Sequence, residues 1–213
     1  MLPDALDSAA QTQAQARIVA TAQDLFLERG VALVSLAEVA LALRLPVAAI
    51  ERAFPAGKPA LLTVAIDRYL TGFQERLTEH QQQSSSAVEE MLRVRRTLQS
   101  LPDEMRGPFL PELAASYPEH YQHLITTRLA SITSYMQANL HRGMAEGFYR
   151  ANLEVAAETA RWVAQSTTAV EAAPNTQVLA EALAAQTTDF LARVTSPAGA
   201  LVARRLQEAA PYY

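Results

Sequence analysis

The 213-residue sequence contains no cysteine, which excludes disulfides and thiolate metal sites and fits a reducing compartment. It has no basic excess either, because 18 Lys and Arg residues face 22 Asp and Glu residues, for a net charge of −4. Any contact with nucleic acid must therefore be local. No charge-free apolar run approaches the ~20 residues of a membrane span, so we expect no membrane partner.

Signals for β-structure are also missing, because the sequence has no Asn-Gly or Asp-Gly turns and no sustained alternation of apolar and polar residues. The first ten residues, MLPDALDSAA, carry acids where a signal peptide needs bases, so we expect a cytoplasmic protein. Half of the residues are apolar and 19% are charged, which is typical of a packed core. Together these features predict an all-α protein.

Apolar residues at helical spacing, interrupted by proline, glycine and polar loops, predict nine or ten helices. The predicted helices cover about 13–29, 35–43, 46–53, 59–80, 86–98, 109–116, 118–147, 153–172 and 176–195, with a further turn or two near 201–206.

Two short motifs predict where helices begin. Ser35 and Glu38 have the three-residue spacing of a capping box, in which each side chain accepts a hydrogen bond from the other residue's backbone. Ser86 and Glu89 have the same spacing before the fifth helix. Pro59 is a suitable first residue for the fourth helix, since a missing N–H costs nothing in the first turn.

Three short helices followed by a long fourth, with a tight turn before the third, form a helix-turn-helix arrangement. The stretch RIVATAQDLFLERGVALVSLAEVALALRLPVAAIERAFPAGKPALL resembles the N-terminal domain of the TetR family of bacterial regulators. A second stretch, GMAEGFYRANLEVAAETA, is similar to a glycine-containing element that precedes the penultimate helix in this family. The resemblance implies a DNA-binding domain over residues 1–58 and a ligand-binding and dimerisation domain over residues 59–213.

Several positions differ from the usual family pattern. Arg44 stands where the turn usually has glycine, and Pro46 stands where the third helix usually has a serine cap. The positions that usually offer polar side chains to DNA carry mostly small apolar residues. By the resemblance, the DNA-binding residues would be Ser35, Arg44, Val47, Ala49, Glu51, Arg52 and Lys58.

The charge of this segment is low for binding a polyanion, because residues 17–58 contain five basic and four acidic side chains. Two interpretations are open. The chain binds DNA at an unusual site, with Val47 and the alanines against thymine methyl groups. Alternatively, the fold has been kept by a protein that no longer binds DNA and acts as a small-molecule or lipid-binding protein or as a co-regulator.

The C-terminal part offers aromatic and methionine side chains that could line a ligand pocket. Such side chains more often belong to the core, so they indicate only that a ligand would be apolar or amphipathic. The candidates are Tyr69, Phe73, Met91, Phe109, Tyr117, Tyr121, Tyr135 and Trp162.

His120 and His123 have the spacing of neighbours on one helix face, but two histidines fall short of a dedicated metal site. No nucleophile motif, phosphate loop or paired carboxylates stand out. We therefore expect no metal, no cofactor and no enzymatic activity.

The last two long helices have broad apolar stripes with few charges, and the resemblance implies that they pair with their twins in a homodimer. The sequence thus predicts a ligand-responsive regulator, with repression as the expected mode, that binds a palindromic operator in double-stranded DNA.

Overall fold

The computed structural model describes residues 3–99, 108–173 and 175–209, and in these ranges the protein has ten α-helices and no strand. The all-α prediction is confirmed. The helices are α1 (Pro3–Arg29), α2 (Leu36–Leu43), α3 (Val47–Ala53), α4 (Gly57–Gln82), α5 (Ala87–Gln99), α6 (Phe109–Ser116), α7 (Pro118–Ala145), α8 (Val155–Ala172), α9 (Thr176–Val194) and α10 (Pro197–Ala209).

Three helix boundaries differ clearly from the prediction. Helix α1 begins at Pro3, ten residues before the predicted start near residue 13, because the alanine-rich segment ahead of Gln13 favours a helix without presenting an apolar stripe. Helix α4 begins at Gly57 instead of Pro59, because the Gly57 N–H bonds to the Phe54 carbonyl and the helix continues directly from that turn. Pro59 still lies in the first turn, where its missing N–H is tolerated. Helix α10 extends over 13 residues, longer than the predicted one or two turns, since Ser196 caps it by accepting from the Gly199 N–H at 3.2 Å.

The second predicted capping box forms only in part. The Ser86 hydroxyl accepts from the Glu89 N–H at 3.2 Å, as expected. The Glu89 carboxylate, however, binds the N–H and hydroxyl of Ser85, at 2.9 and 2.6 Å. The loop before α5 therefore shifts the reciprocal bond by one residue.

The chain divides into two compact units, one of residues 1–73 and 103–127, the other of residues 74–102 and 128–213. This division reflects packing, and the functional boundary expected between residues 58 and 59 stays a prediction. The core of the first unit takes buried residues from α1, α2, α3, α4, α6 and α7, among them Phe26, Val39, Ile50 and Leu61.

The second unit has its own core, built from α5, the C-terminal half of α7, α8 and α9. Trp162 and Tyr149 both pack edge-on against Phe190, with ring centres 5.1 and 6.2 Å apart. Edge-to-face contact is a preferred geometry for aromatic rings, so these three side chains fix the packing of α8 and α9.

A buried polar network in the second unit joins α7 to the loop between α4 and α5. The Arg142 guanidinium bonds to Glu90 at 3.2 Å, to Glu146 at 2.7 Å and to the Ser84 carbonyl at 2.8 Å. Burial raises the pKa of the fully buried Glu90, and neighbouring Tyr135, Asn139 and Arg142 oppose that shift. The network pairs the buried Glu90 carboxylate with a guanidinium through Oε2, which offsets part of the cost of burying its charge.

Candidate nucleic-acid interface

The helix-turn-helix scaffold is built by local bonds that the sequence specifies. The Glu38 N–H bonds to the Ser35 hydroxyl at 3.2 Å, and the Ser35 N–H bonds to the Glu38 carboxylate at 2.9 Å. The first predicted capping box is therefore confirmed. It fixes the start of α2 and aligns its buried face, which contains Val39 and Ala40, with the core.

The turn between α2 and α3 depends on Arg44, which has φ 56° and lies in the left-handed region that glycine usually occupies. Its conformation lets the Leu45 N–H bond to the Ala40 carbonyl at 2.9 Å, which ends α2. Buried Ile50 and Phe54 then anchor α3 and its exit in the core. The turn geometry is kept without the glycine.

The residues predicted to contact DNA differ in accessibility. Ser35, Arg44, Glu51 and Arg52 are exposed, and Ala49 is half-buried. The Arg52 Nε donates to the Ala48 carbonyl at 3.2 Å, so this side chain lies along its own helix. The remaining exposed surface at the start of α3 is apolar, since Leu45 is 42% exposed and Val47 is 39% exposed.

Lys58 is half-buried, and its ammonium donates a hydrogen bond to the carbonyl of Val31 in the loop between α1 and α2. Desolvation by burial lowers the pKa of Lys58, while the carboxylates of Glu112 and Glu38 oppose that shift. In this conformation the ammonium is thus bound to the protein's own backbone. A phosphate contact by Lys58 would require it to leave Val31.

Glu112, in the first turn of α6, is a part of this arrangement that the sequence did not reveal. Its Oε2 accepts the N–H of Ala32 at 2.7 Å, across 80 residues of chain. A β-carbon at Gly30 would lie 2.5 Å from the same oxygen, and Gly30 has φ +83°, which favours glycine. The predicted end of the first helix at residue 29 indicated a turn here, but nothing in the sequence indicated that Glu112 binds it.

The predicted pocket residues are distributed between the two units. Tyr69 and Phe109 line a small apolar cleft in the first unit, of about 10 Å³, together with Gln23, Leu62 and Leu124. Half-buried Tyr117 and Tyr121 pack against the core of that unit, and Phe73 is also half-buried. In the second unit, Met91 and Trp162 are core residues, and Tyr135 packs against that core.

His120 and His123 both bond to α4 in the first unit. The His120 Nε2 lies 3.0 Å from the Thr63 hydroxyl oxygen, and the His123 Nε2 lies 2.9 Å from the Asp67 carboxylate. The described residues contain no group of three or more His, Asp or Glu placed to hold a metal ion. Nor does any helix in the described ranges have the length and apolarity to cross a membrane.

No protein-family model and no curated protein sequence matches this chain. Solved structures do. A TetR-family regulator from Agrobacterium tumefaciens superposes with a TM-score of 0.66 at 20% identity, over 87% of this chain and all of that chain. A TetR-family regulator from Streptomyces coelicolor gives 0.65 at 18%, over 87% of this chain and 97% of its own. The chain has the TetR fold.

A third match is a transcriptional regulator from Saccharomonospora viridis in complex with choline. Its TM-score is 0.68 at 17% identity, and it covers 87% of this chain and 99% of that one. Because the superpositions extend over nearly whole chains, the TetR fold accounts for both units. Within the described residues, α2, the turn at Arg44 and α3 form a helix-turn-helix.

Proposed function

We propose that this chain is a ligand-responsive transcriptional regulator of the TetR type, acting as a repressor in the cytoplasm. The observation that carries the proposal is the complete helix-turn-helix, with its capping box at Ser35 and its left-handed turn at Arg44. Those bonds preserve a scaffold that presents α3 to a major groove. A regulator needs no catalytic group, and we assign none.

For DNA contact we propose Ser35, Arg44, Arg52 and Lys58 as phosphate-side residues, because phosphates are bound by hydroxyl and cationic side chains. Val47, Ala49 and Glu51 would face the bases. An apolar side chain favours a thymine methyl group, and a carboxylate can accept from a cytosine amino group. The low charge of α3 implies modest affinity and a shallow dependence on salt.

The proposed active form is a homodimer joined through α8 and α9. Both helices expose small or apolar side chains, among them Val170 and Val178, which are 42% and 40% exposed. Small residues allow close helix packing, and a twofold dimer would place two α3 helices about one helical turn of DNA apart. A palindromic operator follows from that symmetry.

We propose a small apolar or amphipathic effector, because the aromatic and methionine candidates in both units offer contacts of that chemistry. The choline complex of the Saccharomonospora viridis regulator supports an effector of that size. A coupling free energy of ~1–3 kcal/mol between effector and operator would change occupancy about 5- to 150-fold.

A second candidate function is a TetR-fold protein that has lost DNA binding and serves as a small-molecule carrier or co-regulator. Two observations favour it: the exposed start of α3 is apolar, and the Lys58 ammonium is bound to Val31. Selection from a random duplex pool distinguishes the two functions. Enrichment of a palindromic sequence supports the regulator, and a pool that stays random after several rounds supports the carrier.

A further inference from the structure

Lys58 and Glu112 bind opposite edges of a single peptide group. The carbonyl of Val31 accepts from the Lys58 ammonium, and the N–H of Ala32, in the same peptide unit, donates to the Glu112 carboxylate at 2.7 Å. The described residues contain no cis peptide bond, so this carbonyl and N–H point in opposite directions. The Lys58 cation therefore lies at the negative end of this peptide dipole, and the Glu112 anion lies at its positive end.

This arrangement strengthens both hydrogen bonds. Bonds to ionised groups are stronger than neutral ones, and bonds in a chain polarise one another. The site is also partly desolvated, since Val31 is fully buried and Lys58 is half-buried. Removal of either charge should thus weaken the bond at the other edge of the peptide.

We infer that Glu112 is a positioning residue for Lys58: it fixes the peptide that Lys58 binds and so limits the transfer of the ammonium to a DNA phosphate. The inference rests on the proposed DNA-binding function and adds a residue that lies in α6, outside the helix-turn-helix. In the folded chain, Glu112 keeps DNA affinity lower than the side chains of the helix-turn-helix would otherwise give.

The side-chain NMR signals of Lys58 can be measured without overlap, because Lys58 is the only lysine in the chain. Labelling with ¹³C,¹⁵N-lysine gives one set of side-chain NMR signals, with no DNA required. In the wild-type protein, these signals should differ from those of a free, solvated lysine. In E112Q and E112A they should move toward the free values, with the larger shift in E112A, which lacks any acceptor for Ala32.

Glu119→Gln is the matched control, since it neutralises an exposed acid in the first turn of α7 in the same unit. Its lysine signals should coincide with those of the wild type. Wild-type signals that already match free lysine, or signals that do not respond to E112Q and E112A, would overturn the link between the two residues.

A double-mutant cycle on operator affinity tests the consequence for DNA. E112Q should tighten operator binding about three- to tenfold, a size typical of the coupling between residues in contact. It should also steepen the slope of log K against log salt by up to ~0.9, because Lys58 would then contact a phosphate. K58Q should cancel that gain in the E112Q background and cost less in the wild type. Equal effects of K58Q in both backgrounds, or a gain from E119Q as large as that from E112Q, would contradict the inference.

The operator titrations of the wild type and E112Q distinguish a failure of the positioning role of Glu112 from a failure of the proposed function. If neither the wild type nor E112Q prefers any operator at low salt, the proposed regulator is wrong, and with it the role of Glu112 in DNA affinity. If both bind an operator specifically with equal affinity, the regulator stands and the positioning role of Glu112 is wrong.

Discussion

Gly30 and Glu112 approach so closely that a β-carbon at position 30 would lie 2.5 Å from the carboxylate oxygen of Glu112. This approach joins the end of α1 to the start of α6 within the first unit. It depends on two properties of Gly30, its lack of a side chain and its φ of +83°. The two properties can be separated by experiment.

Gly30→Ala should destabilise the protein by about 2–4 kcal/mol, because alanine meets a left-handed backbone and its β-carbon displaces the Glu112 carboxylate from the Ala32 N–H. Gly147→Ala is the matched control, since Gly147 has φ +73° but a β-carbon added there would meet no atom within 4 Å. It should cost only about 1–2 kcal/mol. Urea denaturation measures both values, and equal losses would show that the Glu112 contact adds nothing.

Arg44→Gly should separate folding from DNA binding. Glycine removes the strain of a left-handed non-glycine residue, but it also has a greater conformational entropy in the unfolded chain. These two effects oppose each other, so the free energy of unfolding should change by only about 0–1 kcal/mol. The same change deletes an exposed cation beside α3, so operator affinity should fall and the salt slope should become shallower by ~0.9. Denaturation and DNA titration are measured on one preparation. A stable R44G protein with unchanged salt dependence would remove Arg44 from the interface.

His80 should make stability depend on pH. Burial lowers the pKa of His80 below its ordinary 6.5, with nearby Arg93 acting in the same direction. Below pH 6.5 the imidazole is protonated more readily in the unfolded chain than in the folded one. The contribution of His80 to stability is therefore fully present above pH 6.5 and is lost as the pH falls from 6.5 through the lower pKa of the folded state. His80→Gln should reduce the loss of stability between about pH 7.5 and 5.5.

Thr97→Val is the control for this pH effect, because it removes the hydroxyl 3.1 Å from the His80 Nε2 but leaves the imidazole in place. The variant should keep most of the acid sensitivity, since burial is the largest cause of the pKa shift. An H80Q protein whose stability falls as steeply as that of the wild type would show that the acid sensitivity originates elsewhere.

The proposed dimer interface predicts the effect of charge on α8 and α9. Val170→Glu combined with Val178→Glu should convert a dimer of 23.2 kDa chains into monomers, because both carboxylates would be desolvated in the interface. Leu201→Glu is the control, since Leu201 is 56% exposed on α10, outside that interface. Sedimentation equilibrium decides the outcome. A monomeric wild type, or dissociation by L201E alone, would contradict the arrangement.

Much of the fold was predictable because its signals are local. Proline begins α7 at Pro118, and α6 covers the predicted residues Phe109–Ser116. The bond between Ser35 and Glu38 spans three residues, a spacing that the sequence displays directly. Caps and turns of this kind depend on neighbours along the chain, so a single sequence contains the information that specifies them.

The rest depends on contacts between distant residues. Glu112 and Ala32 lie 80 positions apart, and no periodicity relates them. Lys58 was predicted as a phosphate contact, and that prediction is untested, but its bond to Val31 depends on how α4 packs against the loop after α1. The candidate pocket residues are aromatic or methionine side chains, which suit a protein core as well as a pocket. The sequence therefore did not show that they are divided between two units.

A salt-series titration decides whether this TetR fold binds an operator. Purified protein is titrated against a duplex from its own upstream region and against random duplex, from about 50 to 200 mM salt. We predict tighter binding to the upstream duplex, by at least ~10³-fold, with a negative slope of log K against log salt. Equal affinity for both duplexes at the lowest salt, with and without candidate effectors, would show that this chain selects no operator.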